Sequence, residues 1–202
     1  TEFAAKHNKN INIFPTVLDT EVYKPNSQSE KHNFTVGWIG SPSTAPYLES
    51  LVNPLSELGA EGPVSLHVIG GKAPEILNIE IHEIPWSEAT EVENINKFDV
   101  GVMPLINDEW AKGKCAFKLL QYMACGLPVV ASNVGANSEV INSESGFLVD
   151  NDQMWLQSLR KLRDNPSLRN QLGSVGRARV EELYSLHSNL PVLEKTIKDL
   201  LI

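Results

Sequence analysis

Six short apolar runs of β-type residues, each separated from the next by a helical pattern or a polar turn, restrict this chain to one class of fold. The runs are FTVGWIG (34–40), PVSLHVIGG (63–71), IEIHEIPW (79–86), FDVGVMPL (98–105), PVVAS (128–132) and GFLV (146–149). Strands that alternate with helices are parallel strands, because a crossover helix returns the chain to the end of the sheet it started from. The expectation is an α/β fold: a doubly wound, Rossmann-like parallel sheet of about six strands, helices on both faces and further helices at the C-terminal end.

The helix signals lie between these runs. A helix is expected from Ala45 to Leu58, with Thr44 as cap, Pro46 in its first turn and Pro54 kinking or breaking it. Ser87 should open another, with Glu88 and Glu91 at its positive end, running to Asn96. A third runs from Lys114 to Cys125 and stops at Gly126, since glycine takes the left-handed cap and Pro128 cannot continue a helix. NVGANSEVI (133–141) reads as a loop turning into a helix capped by Asn137 or Ser138. From Asp152 the chain is helical, with a new start at Asn165-Pro166, helix to Tyr184 and PVLEKTIKDLL (191–201) closing it. Val192, Leu193, Ile197, Leu200 and Leu201 share one side of that last helix, which suits a membrane or partner face. At the other end INIFP (11–15) is strand-like, and the polar, turn-rich TVLDTEVYKPNSQSEKHN behind it reads as a linker.

Composition narrows the partners. A length of 202 residues suits one full core, and a net charge of -8 leaves no broad basic face, so nucleic acid is excluded and any anion must be held locally. Cys115 and Cys125 are too far apart on one helix to form a disulfide, which suits a reducing compartment. No apolar run is long enough to span a membrane and no charged-then-apolar leader precedes the domain, so the expected location is cytoplasmic. The chain starts at Thr1 rather than Met, as a domain cut from a longer protein would. His7, His32, His67, His82 and His187 are scattered without metal-ligand spacing, so no metal is expected. Cys115 and Cys125 are read as packing residues.

One local concentration of positive charge stands out in this acidic chain: EWAKGKCAFK (109–118). In open parallel sheets ligands bind beyond the carboxyl ends of the strands, where loops enter helix N-termini with free amides. Gly113 permits close backbone approach there, and free N–H groups are expected from Lys114 onward. Lys118 and Gln121 share a helix face, with Lys114 one turn earlier. Two readings stand: Lys118 reaches solvent and Gln121 is a satisfied core amide, or Lys118 and the helix end hold a phosphate while Gln121 meets a ribose hydroxyl. GWIGSPST (37–44) offers a second cradle at Gly40, Ser41 and Thr44, although it has neither the Walker ending nor G-x-G-x-x-G.

KLLQYMACGLPVVASNVGANSEVINSESGFLV (118–149) resembles the hallmark region of group 1 (family 4) retaining glycosyltransferases, in which E-A-M-A-x-G-x-P-V-V is followed by G-x-x-E and N-G-x-L-V. NIFPTVLDTEVYKP (12–25) is similar to the hinge entering their C-terminal domain, and NPSLRNQLGSVGRARVEE (165–182) also fits. The resemblance implies the donor-binding half of a two-domain GT-B enzyme: residues 1–33 as hinge remnant, 34–184 as the nucleotide-sugar-binding domain, and 185–202 as a helix that packs on an N-terminal, acceptor-binding domain. It implies retaining transfer from a nucleotide diphosphate sugar, with no further cofactor. Peripheral membrane contact would come through the other half, and the half alone would bind donor without transferring it. In the family's E-x7-E motif the first Glu lies by the sugar, the second binds the ribose, and the amides between hold the diphosphate. Carried across, Gly113 takes the first position, Gln121 the second, and Cys115, Ala116 and Phe117 the amides. The family's basic residues after the first strand are replaced by Ser41, Pro42, Ser43 and Thr44, so Lys118 and Lys114 would supply that charge from the helix side. Trp86 resembles the position bordering the nucleobase, its other reading being a core Trp at a strand end. Asp108 and Glu109 are the carboxylates nearest the donor sugar by sequence. Two alternatives stay open: an epimerase-like domain on the same scaffold, and a non-catalytic domain whose donor site has decayed.

Overall fold

The computed structural model describes residues 2–9, 11–26 and 33–200. Thr1, Asn10, linker residues 27–32 with His32, Leu201 of the closing helical pattern and Ile202 lie outside the described residues. After α1 (Glu2–Ala5) the order is β1 (Phe34–Ile39), a 3-10 helix (Ala45–Leu51), α2 (Val52–Glu61), β2 (Val64–Ile69), β3 (Glu80–Ile84), α3 (Glu91–Ile95) and β4 (Val100–Met103). Then follow α4 (Glu109–Lys112), α5 (Phe117–Ala124), β5 (Val129–Ser132), α6 (Asn137–Val140), β6 (Gly146–Val149), α7 (Asp152–Asp164), α8 (Pro166–Leu183) and α9 (Leu186–Leu200). The six strands form one parallel sheet in the order β3-β2-β1-β4-β5-β6, so the order reverses between β1 and β4. All six expected strands are present, and the fold is the doubly wound one.

Strand alternation builds a core on each face. Phe34, Val36 and Trp38 of β1 and Val100 and Val102 of β4 pack with Leu48, Leu51, Leu55 and Leu58, and with Trp155 and Leu159 of α7. On the opposite face Phe98 and Met103 pack against Leu119, Leu120, Tyr122 and Met123 of α5 and Val180 of α8. Two glycines set how closely that second layer approaches. Gly37 and Gly101 are paired across β1 and β4; a Cβ on the first would lie 1.9 Å from the Phe98 ring and on the second 2.3 Å from the Tyr122 ring. Both rings therefore lie against bare backbone at the reversal point.

Several element ends differ from the sequence expectation, each for a local reason. The helix expected over Ala45–Leu58 is a 3-10 segment followed by α2, and the change falls just before Pro54, which sits in the first turn of α2 where its missing N–H costs nothing. Thr44 does not cap it with its side chain, because its hydroxyl turns back to accept from the Ser41 amide at 3.2 Å and to donate to the Ser41 carbonyl at 3.1 Å. Residues 87–90 form a turn, so α3 begins at Glu91 rather than at Ser87. Ala136, not Asn137 or Ser138, precedes α6; Asn137 is inside the helix and donates to the Ser132 carbonyl at 2.9 Å. The strand expected at 11–15 is absent: pairing in this region is a single parallel bridge from Leu18 to Ser185. The last helix begins at Leu186, ahead of Pro191.

The incoming segment is tied to α5 and α8. Leu18 donates to the Tyr184 carbonyl at 3.0 Å and accepts from the Leu186 amide at 3.0 Å. The Arg177 guanidinium donates to the Thr20 carbonyl at 2.9 Å, to the Ala124 carbonyl at 2.6 Å and to the Tyr23 carbonyl. It thereby satisfies an orphan carbonyl at the C-terminus of α5, where a cation is also favoured by the helix dipole. The contact between α8 and the α5 cap is close: a Cβ on Gly173 would lie 2.0 Å from the carbonyl oxygen of Gly126, itself at φ +71. Backbone cannot yield as a flexible side chain can, so Gly173→Ala is expected to cost about 3 kcal/mol, the upper part of the range for overpacking. A lowered midpoint in urea unfolding would show it.

Candidate functional site

The crevice follows from how β1 and β4 part. Their pairing covers Val36 with Val100 and Gly37 with Gly101; beyond that the strands separate, and the Ile39 amide is met at 2.8 Å by the Tyr122 hydroxyl of α5. Burial pushes that phenol well above its ordinary range, so it stays neutral and holds the helix to the strand. A helix that follows a parallel strand begins at the strand's C-terminal end, so the N-terminus of α5 opens on the crevice where ligands of such sheets bind.

Lys118, in the first turn of α5, reaches across to the loop after β1. Its Nζ stands 4.3 Å from the centroid of the Trp38 ring, a cation–π contact, and 3.4 Å from the Thr44 hydroxyl. A Cβ on Gly40 would be only 2.7 Å from the same Nζ. Burial, and then repulsion from Lys114, pull its pKa down to about 8. Among the described residues neither Lys118 nor Lys114 has a carboxylate partner. Lys114 instead lies 5.4 Å from the Tyr47 ring and 5.8 Å from the Trp110 ring. A half-desolvated ammonium without a counter-charge is unfavourable unless an anion arrives.

The helix mouth supplies donors beside it. α5 begins at Phe117, three residues later than expected, because Ala116 is left-handed at φ 56 and ψ 23. A left-handed residue beside right-handed ones turns successive amides towards one point, which is an anion-binding concavity. The Lys114 amide is not among these donors, since it donates to the Ala111 carbonyl at 3.1 Å. The amides of Cys115, Ala116, Phe117 and Lys118 have no acceptor among the described residues. Cys115 is exposed rather than a packing residue, whereas Cys125 is buried as expected, its thiol pushed up to about 12 by burial.

The residues upstream are differently placed. The stretch read as a loop contains the short α4, capped by Asp108, whose Oδ1 accepts from the Ala111 amide at 2.6 Å. Glu109 is exposed and pairs with Lys112 at 2.7 Å. Neither carboxylate is directed into the crevice by a partner there. Gly113 has φ -79, and a Cβ on it would meet nothing nearer than 3.5 Å, so packing does not exclude a side chain at the position. Across the crevice, Ser41 shares its hydroxyl with Ser43 at 2.8 Å.

Gln121 and Trp86 are brought together by a residue that sequence reasoning missed as part of the site. Glu91 is buried at the start of α3. Its Oε1 accepts from the Gln121 amide at 2.7 Å and from the Tyr23 hydroxyl, and its Oε2 accepts from the Trp86 indole N–H. The Tyr23 hydroxyl in turn accepts from the same amide nitrogen at 3.2 Å. Burial, then hydrogen bonding to Glu91, push the Tyr23 phenol up to about 12. Trp86 is 55 % exposed, which excludes a core role. Its Cβ lies 3.1 Å from where Gly70 would carry one, and Gly70 packs on the Gly40 carbonyl. A cavity of about 710 Å³ opens beside it at the ends of β1, β2 and β3, bounded by Pro42, Ala45, Pro46, Gly70, Gly71 and Pro85. Among the described residues no helix is long and apolar enough to cross a membrane, and no acidic, His or Cys group could hold a metal ion.

Residues 33–165 match the family described as glycosyl transferases group 1. The chain belongs to this family. Among its relatives, the capsular polysaccharide biosynthesis glycosyltransferase CapM of Staphylococcus aureus is 26% identical over 170 residues, which cover 76% of this chain and 43% of CapM. The chain thus spans less than half the length of that relative. Among solved structures, HepE of Anabaena in complex with UDP and glucose superposes with a TM-score of 0.71 at 15% identity, over 90% of this chain and 55% of HepE. The C-terminal domain of the group 1 protein LpcC from Francisella tularensis gives 0.62 at 17% identity, over 84% of this chain and 99% of that domain. The group 1 chain thus has the fold of a glycosyltransferase C-terminal domain.

Proposed function

We propose that this domain binds the nucleotide diphosphate sugar of a retaining glycosyltransferase. The observation that carries the reading is Lys118: a half-buried ammonium with no carboxylate partner among the described residues, against the bare backbone of Gly40 and beside the free amides at the start of α5. A pyrophosphate placed there takes charge-assisted bonds from Lys118 and bonds from the amides of Cys115, Ala116 and Phe117. Gln121, one turn further along α5, meets the ribose. Trp86 and the apolar cavity beside it take the base, and the sugar lies towards Gly113. Lys114 adds positive charge at the rim. This layout follows the family resemblance, and a relative of similar fold solved with UDP and glucose supports it.

In transfer, the bond from the anomeric carbon to the β-phosphate oxygen breaks and the nucleoside diphosphate leaves with the electron pair. Amides and an ammonium already aimed at that oxygen stabilise its growing charge without reorganising. The acceptor hydroxyl, held by an N-terminal domain that closes over the crevice, bonds to the anomeric carbon with retention and gives its proton to the departing diphosphate. Residues 1–33 act as hinge and α9, whose Leu186, Leu190, Leu193 and Ile197 are exposed, packs on that domain. Alone, the 202-residue chain binds donor and transfers nothing. Membership of a transferase family favours this reading over the epimerase-like one.

Titration of the chain with UDP, GDP and ADP tests it. One diphosphate is expected to bind at least tenfold more tightly than its own nucleoside. No binding of any of the three would reject the reading and leave the decayed-site alternative.

A further inference from the structure

The family pattern places a carboxylate where this chain has Gln121, and a carboxylate offers ribose only acceptors. A free glutamine amide offers a mixture of donor and acceptor. Here the Gln121 amide nitrogen donates to Glu91 Oε1 at 2.7 Å and lies 3.2 Å from the Tyr23 hydroxyl, which is bonded to the same carboxylate oxygen. The amide cannot turn over, because its oxygen would then face the Glu91 oxygen at that short distance. Its Oε1 has no donor among the described residues, and it is not among the buried unpaired polar atoms. The small accessible fraction of Gln121, 5 %, therefore includes this oxygen.

We infer that Glu91, with Tyr23, locks Gln121 so that its amide nitrogen faces the carboxylate and its carbonyl oxygen is turned to the ligand, making the glutamine an acceptor standing in for the family's carboxylate and Glu91 a positioning residue for ribose recognition. This rests on the donor-site reading above. Glu91 holds the Trp86 indole with its other oxygen, so one buried carboxylate orients both the ribose-side and the base-side groups. Tyr23 belongs to the incoming segment fastened by Arg177, so that segment takes part in shaping the nucleoside pocket.

Gln121→Glu restores the family residue, yet it sets a second carboxylate against Glu91 where the amide now donates. The variant is expected to lose at least tenfold in affinity for UDP, with inorganic pyrophosphate binding changed by less than twofold. Adding Glu91→Gln returns a donor to the pair and is expected to recover UDP binding to within about threefold of the unaltered chain. A structural disturbance alone would not give that reciprocal rescue. Gln121→Met, which fills the space without charge, should also weaken UDP about tenfold while sparing pyrophosphate, and serves where Gln121→Glu does not fold. UDP binding by Gln121→Glu equal to or tighter than that of the unaltered chain, no gain on adding Glu91→Gln, or undiminished UDP binding by Gln121→Met would each overturn the inference alone. Failure of the unaltered chain to bind either UDP or pyrophosphate would overturn it together with the donor-site reading.

Discussion

Lys118→Ala is expected to weaken UDP binding ten- to a hundredfold and uridine binding by less than twofold. The range corresponds to loss of a charge-assisted hydrogen bond, about 1.5–3 kcal/mol, and the selectivity is expected because the proposed site sets the ammonium against the phosphates and not the base. Calorimetric titration of both ligands against both proteins measures it; equal losses for the two ligands would show that Lys118 acts only in packing. A pH effect accompanies the charge. With its pKa pulled down to about 8 by burial and Lys114, Lys118 gives up its proton far earlier than an ordinary lysine. UDP affinity should therefore fall as pH rises through about 8, and Lys118→Ala should flatten that fall. Stability of the unliganded chain runs the other way. Between about 8 and the ordinary value of 10.5 the unfolded chain holds more protons on this group than the folded one, so this contribution to stability rises with pH.

Gly40→Ala should be comparably damaging to binding and should also destabilise the fold. A Cβ there would be 2.4 Å from the Trp38 ring and 2.7 Å from Lys118 Nζ. Trp38 is buried in the core and cannot withdraw, so the backbone at residue 40 must shift away from the ring, and Lys118, the flexible neighbour, is displaced as well. The expected result is a loss of UDP affinity at least as large as that of Lys118→Ala, together with a cost of about 2 kcal/mol from overpacking. Unfolding midpoints and UDP titrations of the same preparation separate the two effects. An unaltered affinity would show that the Gly40 surface is not part of the anion site.

The sheet was legible because apolar strand runs recur between helical patterns and turns from Phe34 to Val149, and burial on both faces demands continuous apolar strands such as VVAS in β5. Element starts were less legible. Nothing in the residue type of Ala116 announces a left-handed conformation, which is why α5 begins at Phe117 and its free amides at Cys115. The INIFP fragment has strand composition but joins no strand of the sheet; the segment behind it is held by Leu18 and Arg177 instead.

The site was half legible for the same kind of reason. Lys118 and Gln121 share a helix face by spacing alone, and the glycine after β1 sits where parallel sheets bind ligands. Glu91 gave no such signal: it reads as an ordinary first-turn acid, and its partners Tyr23 and Gln121 lie 68 and 30 residues away in sequence. Only the fold brings them together. Asp108 was read as a loop carboxylate near the donor sugar, and the short α4 that it caps through the Ala111 amide was not foreseen, because four residues carry no helical period.

In the proposed site, Lys118 and the amides opening α5 take up a pyrophosphate. Proton linkage tests it most directly, because an anion bound at Lys118 must raise the pKa of that group. UDP titrations at a pH of about 8.5, in two buffers of different ionisation enthalpy, should show net proton uptake on UDP binding, and none for Lys118→Ala. UDP binding without proton uptake, or with the same uptake in both proteins, would contradict the account.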